Sequence, residues 1–194
     1  MKRKNWILVS IILLIACYQY AEAEVTFRSQ MYKNFNLGWD INKTDDYRWS
    51  NFSIGTAYGE KLITNPLVSW QIGLNYNWSK YTLYADGEYA LSFNNEYLRT
   101  QSITIPATFE YKIFRSFFTG VKVYTGPVYE LILTSKINGN HFPNLRNSQF
   151  GWTLGTKIRF LAIFNTKIAY NYYPTGLFND GALNRSAISF SLGF

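Results

Sequence analysis

Residues 67–78 read Leu-Val-Ser-Trp-Gln-Ile-Gly-Leu-Asn-Tyr-Asn-Trp, and their phase decides the fold. The even positions Val68, Trp70, Ile72, Leu74, Tyr76 and Trp78 are all apolar or aromatic. The odd positions after Leu67 are Ser69, Gln71, Gly73, Asn75 and Asn77. A side-chain period of two belongs to a β-strand whose two faces meet different surroundings. No residue of the stretch is charged, so the polar face is not that of an ordinary water-facing strand.

The alternation extends over most of the chain. In 148–160, Phe150, Trp152, Leu154, Thr156, Ile158 and Phe160 oppose Gln149, Gly151, Thr153, Gly155, Lys157 and Arg159. In 185–194, Ser186, Ile188, Phe190, Leu192 and Phe194 oppose Arg185, Ala187, Ser189, Ser191 and Gly193. Less pure alternation marks 25–41, 49–62, 96–113, 117–135 and 164–173, giving eight predicted strands. The connections 42–48, 85–95, 136–147 and 174–184 are long and polar, whereas 63–66, 114–116 and 161–163 are short. Long and short connections in turn are the pattern of an up-and-down barrel with one rim outside and one facing the periplasm. Pro106 and Pro127 fall inside neighbouring strands. Proline has no N–H for the ladder, so a bulge or a skipped hydrogen bond is expected there.

A soluble barrel alternates too, with its apolar face inward. The polar face separates the two cases. Here it is mostly Gly, Ala, Ser, Thr, Asn and Gln, which suit the crowded lumen of a narrow eight-stranded barrel. The bulky face is almost uncharged, as lipid contact requires. Trp39, Trp49, Trp78, Tyr81, Phe117, Phe150, Phe160 and Tyr172 lie near predicted strand ends and are expected to form interfacial girdles. The expected fold is all-β: an eight-stranded antiparallel up-and-down transmembrane β-barrel, occupying residues 24–194 as one domain.

Composition agrees. Aromatic residues make up 19% of the chain and charged residues 16%, against about 25% charged in an average soluble domain. The mean hydropathy is −0.14, which excludes a helical membrane protein, and the apolar content excludes disorder. A single Cys excludes a disulfide scaffold. Lys2, Arg3 and Lys4, the apolar stretch 6–16 and Ala21-Glu22-Ala23 read as a signal peptide over 1–23. The cell outer membrane is then the expected destination, with its lipid as surroundings. Leu14-Ile15-Ala16-Cys17 also fits a lipobox, and a soluble or lipid-anchored ligand-binding barrel in the periplasm stays open as an alternative. Removing Lys2, Arg3, Lys4 and Glu22 lowers the net charge from +7 to +5. That is too small and dispersed for a nucleic-acid partner.

Chemistry is sparse. His141 is the only His and stands in a long loop, so a lipid-modifying enzyme has one obvious base and no visible triad. No spacing suggests a metal or a cofactor. The informative charges are in phase with the small polar face: Glu110, Lys122, Lys157, Arg159 and Lys167, near the short-turn end. Unpaired charges in a closed lumen are costly. A structural plug is expected, with a narrow anion path as the alternative. Phe190, Leu192 and Phe194, in phase on the last strand, are expected to be read by the barrel-assembly machinery, and the protein is expected to act as a monomer.

Several short motifs resemble the PorT-like outer-membrane β-barrel family of Gram-negative bacteria. They are Ile103-Thr104-Ile105-Pro106, Phe109-Glu110-Tyr111-Lys112 and Thr125-Gly126-Pro127-Val128-Tyr129. They continue with Gly151, Gly155, Ala169-Tyr170-Asn171-Tyr172, Gly176-Leu177 and Asn184-Arg185. The long first strand and segment 81–96 depart from the pattern. The resemblance implies a small barrel without a common enzymatic activity. The expected role is structural, adhesive or loop-mediated binding.

Overall fold

The computed structural model describes residues 35–43, 47–62, 65, 67–83, 97–116, 118–160, 164–179 and 184–193. The predicted signal peptide, the start of the first predicted strand, Phe117 and Phe194 lie outside the described residues. The main strands are β1 (Asn36–Lys43), β2 (Tyr47–Lys61), β3 (Val68–Leu83), β4 (Tyr97–Arg115), β5 (Thr119–Ile137), β6 (Ser148–Phe160), β7 (Phe164–Tyr173) and β8 (Arg185–Gly193). Each pairs antiparallel with its neighbour in the chain. β8 returns to β1, with Phe190 opposite Trp39 and Leu192 opposite Leu37. The result is a closed eight-stranded up-and-down barrel with no open sheet edge.

The phase of each strand sets which side chains face in. On β3, Ser69, Gln71, Asn77 and Ser79 are buried while Ile72, Leu74 and Trp78 are exposed. On β6, Gln149 and Thr153 are buried while Phe150, Trp152 and Leu154 are exposed. The outer wall is therefore apolar and the lumen polar, an arrangement of outer-membrane type. Trp39, Phe52 and Trp78 form a cross-strand aromatic chain outside, with successive ring centroids 5.7 Å apart. Phe114, Phe118, Phe160 and Phe164 are exposed around the short-turn rim. Two residues expected in the girdles are not there. Trp49 and Tyr81 are 2% and 0% exposed inside the barrel, stacked at 5.7 Å with ring planes 3° apart. Both stand in the inward phase of their strands, which overrides proximity to a strand end.

Several strands run beyond their predicted limits. β3 continues past the clean alternation of 67–78 to Leu83, just short of the predicted connection at 85–95. β5 continues to Ile137, and Asn140–His141 folds back on it around Asn138 and Gly139. Both turn residues have positive φ (50° and 91°), as a tight Asn-Gly hairpin requires.

At the prolines the ladder skips rather than bulges. Pairing of β3 with β4 lapses between Ile72–Ala107 and Asn75–Thr104, then resumes in the same register. Pairing of β4 with β5 lapses likewise between Pro106–Val128 and Phe109–Thr125. The bulges sit elsewhere, at Gln101/Ser102 and Lys112/Phe114. The first of these changes the phase of β5, so that Ser135 is buried and Thr134 is exposed.

Gly126 lies in the second lapse. A Cβ there would sit 2.1 Å from the Ala107 carbonyl oxygen and 2.8 Å from Thr108 Cα. These are backbone atoms with no rotamer to yield. Gly126→Ala is expected to cost about 1–3 kcal/mol. A midpoint lowered by roughly 2–4 °C per kcal/mol should appear in thermal unfolding followed by gel mobility.

Candidate functional site: a polar lumen with a sealed mouth

The inward residues form three levels. At the short-turn end, Glu110 accepts from Lys122 Nζ at 2.5 Å and lies 3.7 Å from Lys157 Nζ. Ser69 Oγ donates to the same carboxylate at 3.3 Å. Lys167 Nζ donates to Gln71 Oε1 at 3.4 Å and is within electrostatic range of Glu110 and Lys157. The barrel thus brings together Glu110, Lys122, Lys157 and Lys167 from four consecutive strands. Arg159 is in the same phase, but it stands one residue from the end of β6, is exposed at the rim, and has no ion pair among the described residues.

The middle level is a hydrogen-bonded layer. Asn51 Nδ2 donates to Asp40 Oδ2 at 2.7 Å and to Asn77 Oδ1 at 3.2 Å. Ser79 Oγ donates to Asn51 Oδ1 at 3.0 Å. Asn77 Nδ2 donates to Thr104 Oγ1 at 3.3 Å and to the Ser102 carbonyl at 3.3 Å. Beside it lies a cavity of about 120 Å³, lined among others by Asn36, Asp40, Gln71, Asn75, Tyr124 and Asn171. Its polar walls and size suit a few water molecules.

The third level, under the long loops, is centred on Arg185, which is fully buried. Its Nη2 pairs with Glu130 and donates to Gln149 Oε1 at 2.6 Å. Its Nη1 donates to Tyr81 OH at 2.5 Å. The guanidinium lies between two aromatic faces, 4.6 Å from the Trp49 ring centroid and 4.2 Å from that of Tyr173. Arginine suits this place because its planar fork serves several acceptors in plane while its faces stack. Ser102 Oγ donates to the remaining Glu130 oxygen at 2.5 Å, so the carboxylate is held from two sides.

Above Arg185 the mouth is closed by loop residues. Leu145, Leu177 and Phe178 join Tyr47, Trp49, Tyr81, Leu98 and Tyr173 in one buried apolar cluster. Leu145 forms an isolated antiparallel bridge with Phe178, and Arg146 N donates to the Leu177 carbonyl at 3.0 Å. Gln149 Nε2 ties the same loop down through the Gly176 carbonyl at 3.2 Å. The barrel's hydrophobic core is therefore at its long-loop mouth, not at mid-height.

Phase places Glu130 and Arg185 inside, yet the predicted lumen cluster omitted both. They stand three strands apart and meet only across the closed lumen. His141 is exposed beside Lys136, and no carboxylate or serine hydroxyl is hydrogen-bonded to its ring among the described residues. Among the described residues no group of three His, Cys, Asp or Glu side chains is arranged to hold a metal. Phe190 and Leu192 face outward on β8.

The chain matches no known family model and no curated protein sequence. Among solved structures it is similar to the outer membrane enzyme PagL, at 10% identity and a TM-score of 0.47, over 81% of this chain and 95% of that one. It is also similar to CdiB from Acinetobacter baumannii, at 17% identity and a TM-score of 0.28, over 72% of this chain and 31% of that one.

Proposed function

We propose that this chain is a small integral outer-membrane barrel that conducts no solute and works through its long loops, in a structural, adhesive or binding role. The single observation carrying this reading is the sealed mouth. Arg185 bridges the lumen under an apolar cap, while the outer wall is apolar around the barrel. A soluble monomer rarely exposes apolar patches beyond a few hundred Å², whereas lipid contact requires such a wall. A periplasmic ligand-binding barrel would reverse the two faces and line its cavity with apolar groups. The lumen here is lined by Asn, Ser, Thr and paired charges instead. In this reading export uses the predicted signal peptide, and β8 is the strand that the barrel-assembly machinery engages. Membership of the PorT-like family is part of the same proposal and rests on the motif residues.

Two measurements test it. Unboiled protein should migrate differently from boiled protein on a detergent gel, because a closed barrel resists unfolding. In a planar bilayer the purified protein should give no steady open-channel current. Equal mobility together with extraction by buffer alone would overturn the membrane reading, and a steady current would overturn the plug.

A further inference from the structure

Five cations stand on the outer wall at its long-loop border. Lys80 on β3 is directly opposite Arg99 on β4, and Arg99 is directly opposite Lys136 on β5. All three are exposed in the outward phase. Lys43 on β1 is opposite Arg48 on β2, both exposed, and Arg48 is diagonal to Lys80 through the Ser50–Lys80 pair. Directly opposed residues have Cβ atoms about 4.5–5.5 Å apart, and like charges so placed repel. Among the described residues none of the five forms an ion pair. Lys80 Nζ instead rests 4.1 Å from the Tyr97 ring centroid. The outward carboxylate among the described residues is Glu60, at the opposite, short-turn end of β2.

The height of the row is informative. Immediately below it, on the same face, are Trp78 under Lys80, Ile103 two positions under Gln101 on β4, and Leu133 and Leu131 on β5. The row therefore marks where the apolar band stops and the lipid headgroups begin. We propose that Lys80, Arg99 and Lys136, flanked by Lys43 and Arg48, form a binding site for phosphate-bearing lipid headgroups at the long-loop side of the membrane. Phosphate fits because it carries the charge that cancels the mutual repulsion, and its oxygens accept from both ammonium and guanidinium donors. The patch covers β1 to β5 and is absent from the outward faces of β6 to β8, so it holds lipid on one side of the barrel. This inference rests on the membrane reading above.

The test uses the full barrel in zwitterionic detergent and a Lys80→Gln/Arg99→Gln/Lys136→Gln variant. Adding phosphatidic acid to the micelles should raise the thermal midpoint of the unmodified protein by on the order of 5 °C, as expected when a ligand binds only the folded state. The variant should shift by about 1 °C or less. Without phosphatidic acid the variant should be about as stable as the unmodified protein, because relief of the mutual repulsion offsets loss of the Lys80–Tyr97 contact. Equal shifts in the two proteins would overturn the site. A shift of the same size with inorganic phosphate would overturn the lipid assignment. Flotation with phosphatidylcholine vesicles separates this from the membrane reading. Protein that floats but gives equal shifts loses only the headgroup site, whereas protein that does not float loses both.

Discussion

Arg185→Leu is expected to destabilise the barrel by about 3–5 kcal/mol, because it leaves Glu130 buried without its counter-charge. In the folded protein that guanidinium satisfies Glu130, Gln149 and Tyr81 at once and fills the gap between Trp49 and Tyr173. A flexible leucine of smaller volume replaces none of these contacts. At roughly 2–4 °C per kcal/mol, the loss amounts to a midpoint lowered by on the order of 10 °C. The double variant Glu130→Leu/Arg185→Leu should recover much of the loss, since a buried pair exchanged for apolar groups is often neutral. Gln149 Oε1 and Tyr81 OH would still lose the donors that Arg185 supplies, which limits the recovery. The check is a double-mutant cycle by urea unfolding. If the single and double variants are equally unstable, the cost lies in packing and not in the stranded charge.

Leu154→Arg separates lipid from water as the solvent of the outer wall. Leu154 is 59% exposed at the middle of β6. On a soluble protein a substitution at such a site stays within about 0.5 kcal/mol. At the mid-plane of a bilayer the same arginine costs about 2–4 kcal/mol, falling to about 0–1 near an interface. Phe160→Arg, at the short-turn end of the same strand, is the internal control. Unfolding from phosphatidylcholine vesicles should therefore show a large loss for Leu154→Arg and a small one for Phe160→Arg. Equal small losses would contradict a membrane-facing wall.

The barrel and its two faces were legible because strand phase is a local property. Residues 67–78 state it without interruption, and the outward and inward sets on β3 follow from it residue by residue. Trp49 and Tyr81 could have been placed inside by the same rule. Proximity to a strand end is a weaker signal than phase, and the unbroken alternation ends at 78, short of Tyr81. The return of Asn140–His141 on β5 was also readable, since Asn138-Gly139 is a strong hairpin signal. The skip at Pro106 and Pro127 was half-readable: proline dictates a missing hydrogen bond, but whether the register slips depends on the neighbouring strands.

Charge partners obey different physics. Glu110 and Lys122 share one hairpin, so their proximity follows from a local turn. Glu130 and Arg185 have no such link, and neither do Trp49 and Tyr173, which sandwich the same guanidinium. By itself the sequence determined the strands, their phase and the apolar-out, polar-in character of the wall, because alternation and turn chemistry act between neighbours in the chain. Only the tertiary structure decided where the lumen is sealed and which outward cations stand side by side. The seal depends on the closure of β8 onto β1 and the cation row on the register between successive strands, and each brings together residues that no periodicity connects.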